Sequence, residues 1–226
     1  MTAIERTAYP RLKSRYSPKE LDQLFTPTAE ELVFIRQISS DSDHPQLGLC
    51  AQLKCFQHLG YFVAPERIPQ AILHHLQTST DLPPNSAGYR WQRTLYRHRR
   101  AIRRYLAVEP YQHTRQEQAR QAIYAAAQTM GDPADLINAA IEELVRQRVE
   151  LPAFRTLKHL VQKVRTEVNE GWYQQVSQRL SAAEQAVLLA LPTRRDEQSA
   201  TDFAVLKTPP GKPVFAKLQD TGENRT

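Results

Sequence analysis

Glycine is scarce in this chain, 7 of 226 residues, about half the share of roughly 7% that an average protein carries. Little material is left for a Gly-rich phosphate loop, and neither a Walker A nor a dinucleotide fingerprint occurs. Cysteine is almost absent. Cys50 and Cys55 are too few for a disulfide framework, and on a helix they would point about 140° apart, so both read as reduced core thiols. Long apolar runs are missing as well: the longest, Ala186 to Leu191, has six residues, against the roughly 18 needed to span a bilayer. Met1 to Arg6 includes Glu5 and leads into no apolar stretch, so no secretory leader is expected and a cytoplasmic location is. The histidines show no HxxxH, HExxH or paired-Cys spacing, and no Ser/His/Asp set assembles without arbitrary choice. The expectation is a protein with no catalytic residues, no metal and no cofactor.

What the chain does have is positive charge in one place. The total is 30 Lys+Arg against 24 Asp+Glu, a net +6. The 17 residues from Tyr89 to Tyr105 hold seven arginines and no acid, so the rest of the chain sums to −1. Wound as a helix, Arg90, Arg93, Arg97, Arg100 and Arg104 fall within a sector of about 80° because their spacing is 3, 4, 3, 4. Trp91, Leu95, Ile102 and Leu106 fall within a second sector roughly opposite, the side that docks on a core. Ordinary solvated helices interleave acids at i,i+4 to relieve repulsion. This one does not, and its exclusive use of arginine suits bidentate phosphate or guanine contacts. His98, at the border of the apolar side, reads as a structural histidine.

Around that segment the sequence reads as helices punctuated by proline. Ser17-Pro18-Lys19-Glu20, Thr28 with Glu31, and Ser181 with Glu184 are capping boxes. Leu47 to Leu59 is apolar nearly all around the wheel, as a buried central helix would be, and Gly60 is its natural stop. Asp132-Pro133 opens a helix through Leu136, Ile137, Ile141, Leu144 and Val145. A later helix puts Leu157, Leu160, Val161, Val164 and Val168 on one side, and Arg155, Lys158, Lys163 and Arg165 on its exposed side. His74 and His75 are adjacent and cannot share a metal from one helix. Asp41 and Asp43 read as a solvated turn. With no alternating strand pattern, the expected fold is all-α: two compact helical units, residues 1–85 and 86–191, and a partly disordered C-terminal tail, 192–226.

Three blocks in this order resemble the N-terminal region of the Tn-three family of replicative transposases: LGLCAQLKCFQHLGYFVAPERIPQAILHHL (Leu47 to Leu76), YRWQRTLYRHRRAIRRYL (Tyr89 to Leu106) and LINAAIEELVRQRVELPAFRTLKHLVQKVR (Leu136 to Arg165). The matched features are Leu47-Gly48, Leu59-Gly60 and Phe62, the Arg97-His98 and Ile102-Arg103 pairs, and Val149 to Pro152 followed by Leu157 and Leu160. Phe203 to Lys212 resembles the family's continuation. Ala101 departs from the pattern, standing where the family has an acid. The resemblance implies a helix-turn-helix-like region that recognises the terminal inverted repeats of a transposon. It also implies that catalysis belongs to a later RNase H-like region with metal-binding carboxylates, which this chain stops short of. The expected partner is therefore double-stranded DNA, with Arg90, Arg93, Arg97, Arg100, Arg103 and Arg104 contacting it and Lys158, Lys163 and Arg165 holding the backbone nearby. The rival expectation is a truncated transposase that acts by pairing with a full-length transposase or with a second copy of itself.

Overall fold

The computed structural model describes residues 3–39, 46–82 and 92–192, with 201, 203, 204 and 207. Asp41, Asp43, Arg90, Trp91 and most of the expected tail lie outside the described residues. The described residues form nine α-helices and no named strand. Met1–Val168 is one compact unit and Asn169–Thr226 a second.

The first unit is built on local signals. Helix α1 (Pro18–Phe25) and helix α2 (Ala29–Ile38) each open on a reciprocal capping box, Ser17 with Glu20 and Thr28 with Glu31, which satisfies backbone N–H groups that a helix start leaves orphaned. Helix α3 (Gln46–Leu59) buries eleven of its fourteen residues, which is why its sequence shows no polar face. Gly60 ends it at φ +73°, in the left-handed region where a side chain is penalised. Helix α4 (Gln70–Ser79) follows. These helices enclose a core of Phe25, Ile35, Leu49, Leu53, Ile72 and Leu76, all inaccessible to solvent. Cys50 and Cys55 lie in it as free thiols, and burial pushes both up to about 12, consistent with inert core residues.

Helix α5 (Gln92–Tyr105) is the arginine helix. It adds Ile102 to this same core, across the proline-bearing stretch near residue 85. Helix α6 (His113–Ala127) packs on helix α7 (Pro133–Arg146), which Asp132 caps and Pro133 starts. The long helix α8 (Phe154–Arg179) supplies Leu157, Leu160, Val161, Val164 and Val168 to a second core with Ile123, Leu136 and Leu144. That row is intramolecular core and is not offered to a partner. An N-terminal strap closes over both cores: the Tyr9 hydroxyl donates to the Pro152 carbonyl at 2.8 Å, and Tyr61 donates to the Pro10 carbonyl at 3.1 Å.

Three helix ends meet in this unit. Gly60 ends α3, Ala107 follows α5 at φ 51° and Arg148 follows α7 at φ 53°. The outgoing segments then pair: Glu109 N–H donates to Arg148 O (2.9 Å), Glu150 N–H to Glu109 O (2.8 Å) and Leu151 N–H to Gly60 O (2.8 Å). Among the described residues this is the nearest approach to a sheet, a single parallel bridge between Glu109 and Val149.

In the second unit, helix α9 (Ala182–Ala190) begins on the Ser181–Glu184 capping box. It leaves Val187, Leu188 and Leu189 exposed, as the end of α8 leaves Trp172, Tyr173 and Val176. No helix among the described residues is long and apolar enough to cross a membrane.

Candidate nucleic-acid interface

The seat of α5 follows from its sequence. His98 and Ile102 are wholly buried and Leu95 and Leu106 half-buried, as an apolar sector at i, i+3/i+4 spacing requires. Tyr105 stacks on Phe34 of α2 with ring centroids 4.3 Å apart. The helix therefore cannot turn about its own axis without unpacking a core residue. That rotation puts Arg93, Arg97, Arg100 and Arg104 on the exposed side, one above another along about three turns. Arg93, Arg100 and Arg104 have no ion-pair partner among the described residues.

Beside this ridge runs an open groove of about 410 Å³, lined by Arg97, Arg100, Ala101 and Arg104 from α5 and by Gln37 and Ile38 from α2. Ala101 matters here. An acid at that position would stand at i+4 to Arg97 and i−3 to Arg104, within ion-pairing reach of both. Alanine leaves the α5 wall of the groove without an acid of its own, so its arginines stand along one side opposite the uncharged Gln37 and Ile38 of α2. Such a surface attracts polyanions and is weakened by salt.

The other two arginines of α5 sit on the opposite flank. Arg99 donates to the Val63 carbonyl at 3.0 Å, and its guanidinium lies 5.1 Å from the Phe62 ring centroid. Arg103 makes an ion pair with Glu150, Nε to Oε2 2.7 Å, and lies 4.9 Å from the same ring. Phe62 thus carries two guanidiniums, an arrangement stabilised by the ring quadrupole. Arg103, expected from the sequence to face DNA, has its guanidinium directed at Glu150 and Phe62. Arg99, not singled out from the sequence, holds the helix to the loop after α3.

Lys158, Lys163 and Arg165 are exposed on α8. Lys158 and Arg165 are seven residues apart and share a stripe, whereas Lys163 is turned from Lys158 by about 140°. Lys163 borders a shallow depression with His159, Gln162, Thr166 and Glu167. Arg165 stands near Asp132, whose carboxyl is held below its ordinary value by the Ala134 N–H it accepts, with Arg6 and Arg165 adding to the effect. His74 is exposed, and His75 is half-buried against Thr26 Oγ1 at 2.8 Å. Among the described residues no group of three or more His, Cys, Asp or Glu side chains is placed to hold a metal ion.

Two comparisons with known proteins bear on this surface. Residues 1–164 match a family described as a domain of unknown function (DUF4158), a span that contains the whole ridge and groove. The chain is also similar to the transposase for transposon Tn1546 of Enterococcus faecium. It is 23% identical over 206 residues, covering 88% of this chain and 21% of that relative. The chain thus spans about a fifth of the length of the curated relative it matches.

Proposed function

From the family of DUF4158 domains, to which this chain belongs, we propose that the protein binds duplex DNA as the DNA-recognising part of a transposase, reading the terminal inverted repeats of its transposon. The observation that carries this reading is the exposed ridge of Arg93, Arg97, Arg100 and Arg104, on a helix whose own sequence contains no Asp or Glu and whose rotation is fixed by buried His98 and Ile102. Similarity to a transposase supports DNA as the partner. Arg90 belongs to the same spacing in sequence.

In this reading α5 is presented to the duplex by its outer face. Phosphates take the guanidiniums bidentately and guanine edges compete for the same groups. Lys158, Lys163 and Arg165 hold the backbone nearby, and Arg103 orients the helix from its inner side. The chain contributes recognition without strand cleavage. Fluorescence anisotropy with the terminal-repeat duplex and a scrambled duplex, across a salt series, tests this. Five phosphate contacts would give a slope of log K against log salt near −4.5, at about 0.9 per phosphate, with the repeat preferred by about a hundredfold. A flat salt response would end the phosphate assignment.

A second reading is favoured by a different observation. Trp172, Tyr173, Val187 and Leu189 are large apolar side chains exposed in the second unit, the kind of surface that marks a protein partner. Here the chain pairs with a full-length transposase or with another copy of itself. Light scattering on purified protein that returns a concentration-independent monomer would exclude the self-pairing form.

A further inference from the structure

A second cavity lies on the inner flank of α5, away from the ridge and its groove. It encloses about 680 Å³, within the range of small-ligand pockets. Its walls come from five separate parts of the first unit: the N-terminal strap, the loop after α3, the inner side of α5, the segment between α5 and α6 and the segment leading into α8. Aromatic rings dominate these walls. Tyr61, Phe62, Tyr111 and Phe154 line the cavity and each is only half-buried.

The charged groups on these walls are two arginines, Arg67 and Arg103, and one acid, Glu150. Arg67 lines the cavity and is exposed, with no acid within ion-pair distance among the described residues. Arg11 is exposed on the strap next to Leu12, which forms part of the wall. The Tyr61 hydroxyl donates to the carbonyl of Pro10, the residue before Arg11, and the Arg11 guanidinium opposes the rise that burial imposes on that phenol. Arg103 also lines the cavity, but its charge is matched by Glu150. The Tyr111 hydroxyl is screened from water and has no hydrogen-bond partner among the described residues, although an unpaired buried hydroxyl costs free energy.

We propose that this cleft is a binding site for single-stranded DNA, taking an unpaired base among its aromatic rings with the adjoining phosphate at Arg67 and Arg11. The chemistry selects this ligand. Aromatic faces beside unpaired cations are what a nucleotide with its base free requires, since stacking supplies affinity for any base and the cations track the backbone. A duplex conceals its base faces, so it fits the ridge and not this concave site. The site extends the DNA-binding reading above but occupies a different surface, and the two are separable.

The test uses the full chain and a fluorescein-labelled oligothymidine of about ten nucleotides, a length within the usual single-strand site size. Ala64→Trp fills the mouth of the cleft from an exposed position on its wall, and Arg67→Glu reverses the charge of the rim. Each is expected to weaken oligothymidine binding by at least about tenfold, the scale of one lost stacking contact, while duplex binding is unchanged. A triple variant, Arg93→Ala with Arg100→Ala and Arg104→Ala, is expected to do the reverse. Oligothymidine that fails to bind the wild-type chain at low salt, or that binds both cleft variants as well as wild type, overturns the proposal. So does oligothymidine binding that disappears with the ridge. Failure of the duplex reading registers separately, as a triple variant that binds duplex normally.

Discussion

The outer ridge of α5 and the seam beneath it use the same residue type to opposite ends. On the ridge, Arg93, Arg100 and Arg104 are exposed and have no acid partner among the described residues. In the seam, cations are matched. Arg103 meets Glu150 at 2.7 Å. Deeper still, Lys54 of α3 meets Glu31 of α2 at 3.1 Å, with side chains only 10% and 6% exposed. Glu31 also accepts from the Gln57 side chain (2.6 Å) and the Thr28 N–H (2.8 Å). A cation's partner therefore assigns its role. Where an acid or ring is provided the charge holds the fold, and where none is provided it is left for something outside the chain.

The largest test of that contrast is Lys54→Met. It strands the Glu31 carboxylate in a buried place and should cost about 3 to 5 kcal/mol, read as a lower urea midpoint with unchanged slope. A loss under about 1 kcal/mol would mean that the pair is solvated in practice. Arg103→Ala comes next. It removes a half-buried pair and one guanidinium from Phe62, at about 2 kcal/mol. The charge swap Arg103→Glu with Glu150→Arg should recover part of that loss, and no recovery would show that packing alone was lost.

The acid dependence of stability is smaller. Burial raises the Glu31 carboxyl, but hydrogen bonds from Gln57, Thr28 and Lys54 outweigh it and leave the group below its ordinary 4.5. A depressed folded value means that its contribution is complete above about pH 4.5 and is lost as pH falls through the lower folded value. Thermal melting followed downward from pH 6 should show the midpoint falling below about pH 4.5, and a flat profile there would remove Glu31 from the account. Smallest of all, Arg100→Ala and Arg104→Ala should each change stability by under about 0.5 kcal/mol. Each should also reduce the salt slope of duplex binding by about 0.9. If either destabilises as Arg103→Ala does, the two faces are not distinct.

Much of this was legible in the sequence because its signals are local. Ser17 with Glu20, Thr28 with Glu31 and Asp132-Pro133 each announce a helix start within four residues, and each helix starts there. The ridge was legible because spacing alone fixes which arginines share a face. What spacing does not carry is the partner. Glu150 is 47 positions from Arg103, and Phe62 lies on a loop after a different helix, so spacing turns Arg103 about 100° from Arg104 but names neither of the groups it meets. Tyr9 was passed over for the same reason, since its hydroxyl is satisfied by a carbonyl 143 residues away. Ala107 and Arg148 adopt left-handed backbone without being glycine, and only the folded chain reveals those helix ends.

The meeting of the three helix ends makes helix length a shared property. The segments leaving Gly60, Ala107 and Arg148 are pinned to one another by backbone hydrogen bonds, so a residue gained or lost inside α7 shifts where Arg148 and Glu150 arrive. Each residue added to a helix turns its far end by about 100° and advances it by about 1.5 Å. An insertion in α7 would therefore be felt at Arg103 and through it at the orientation of α5, although α7 carries none of the ridge. In lineages of this domain, insertions and deletions should spare α3, α5 and α7 together and accumulate in the connections that do not reach this junction.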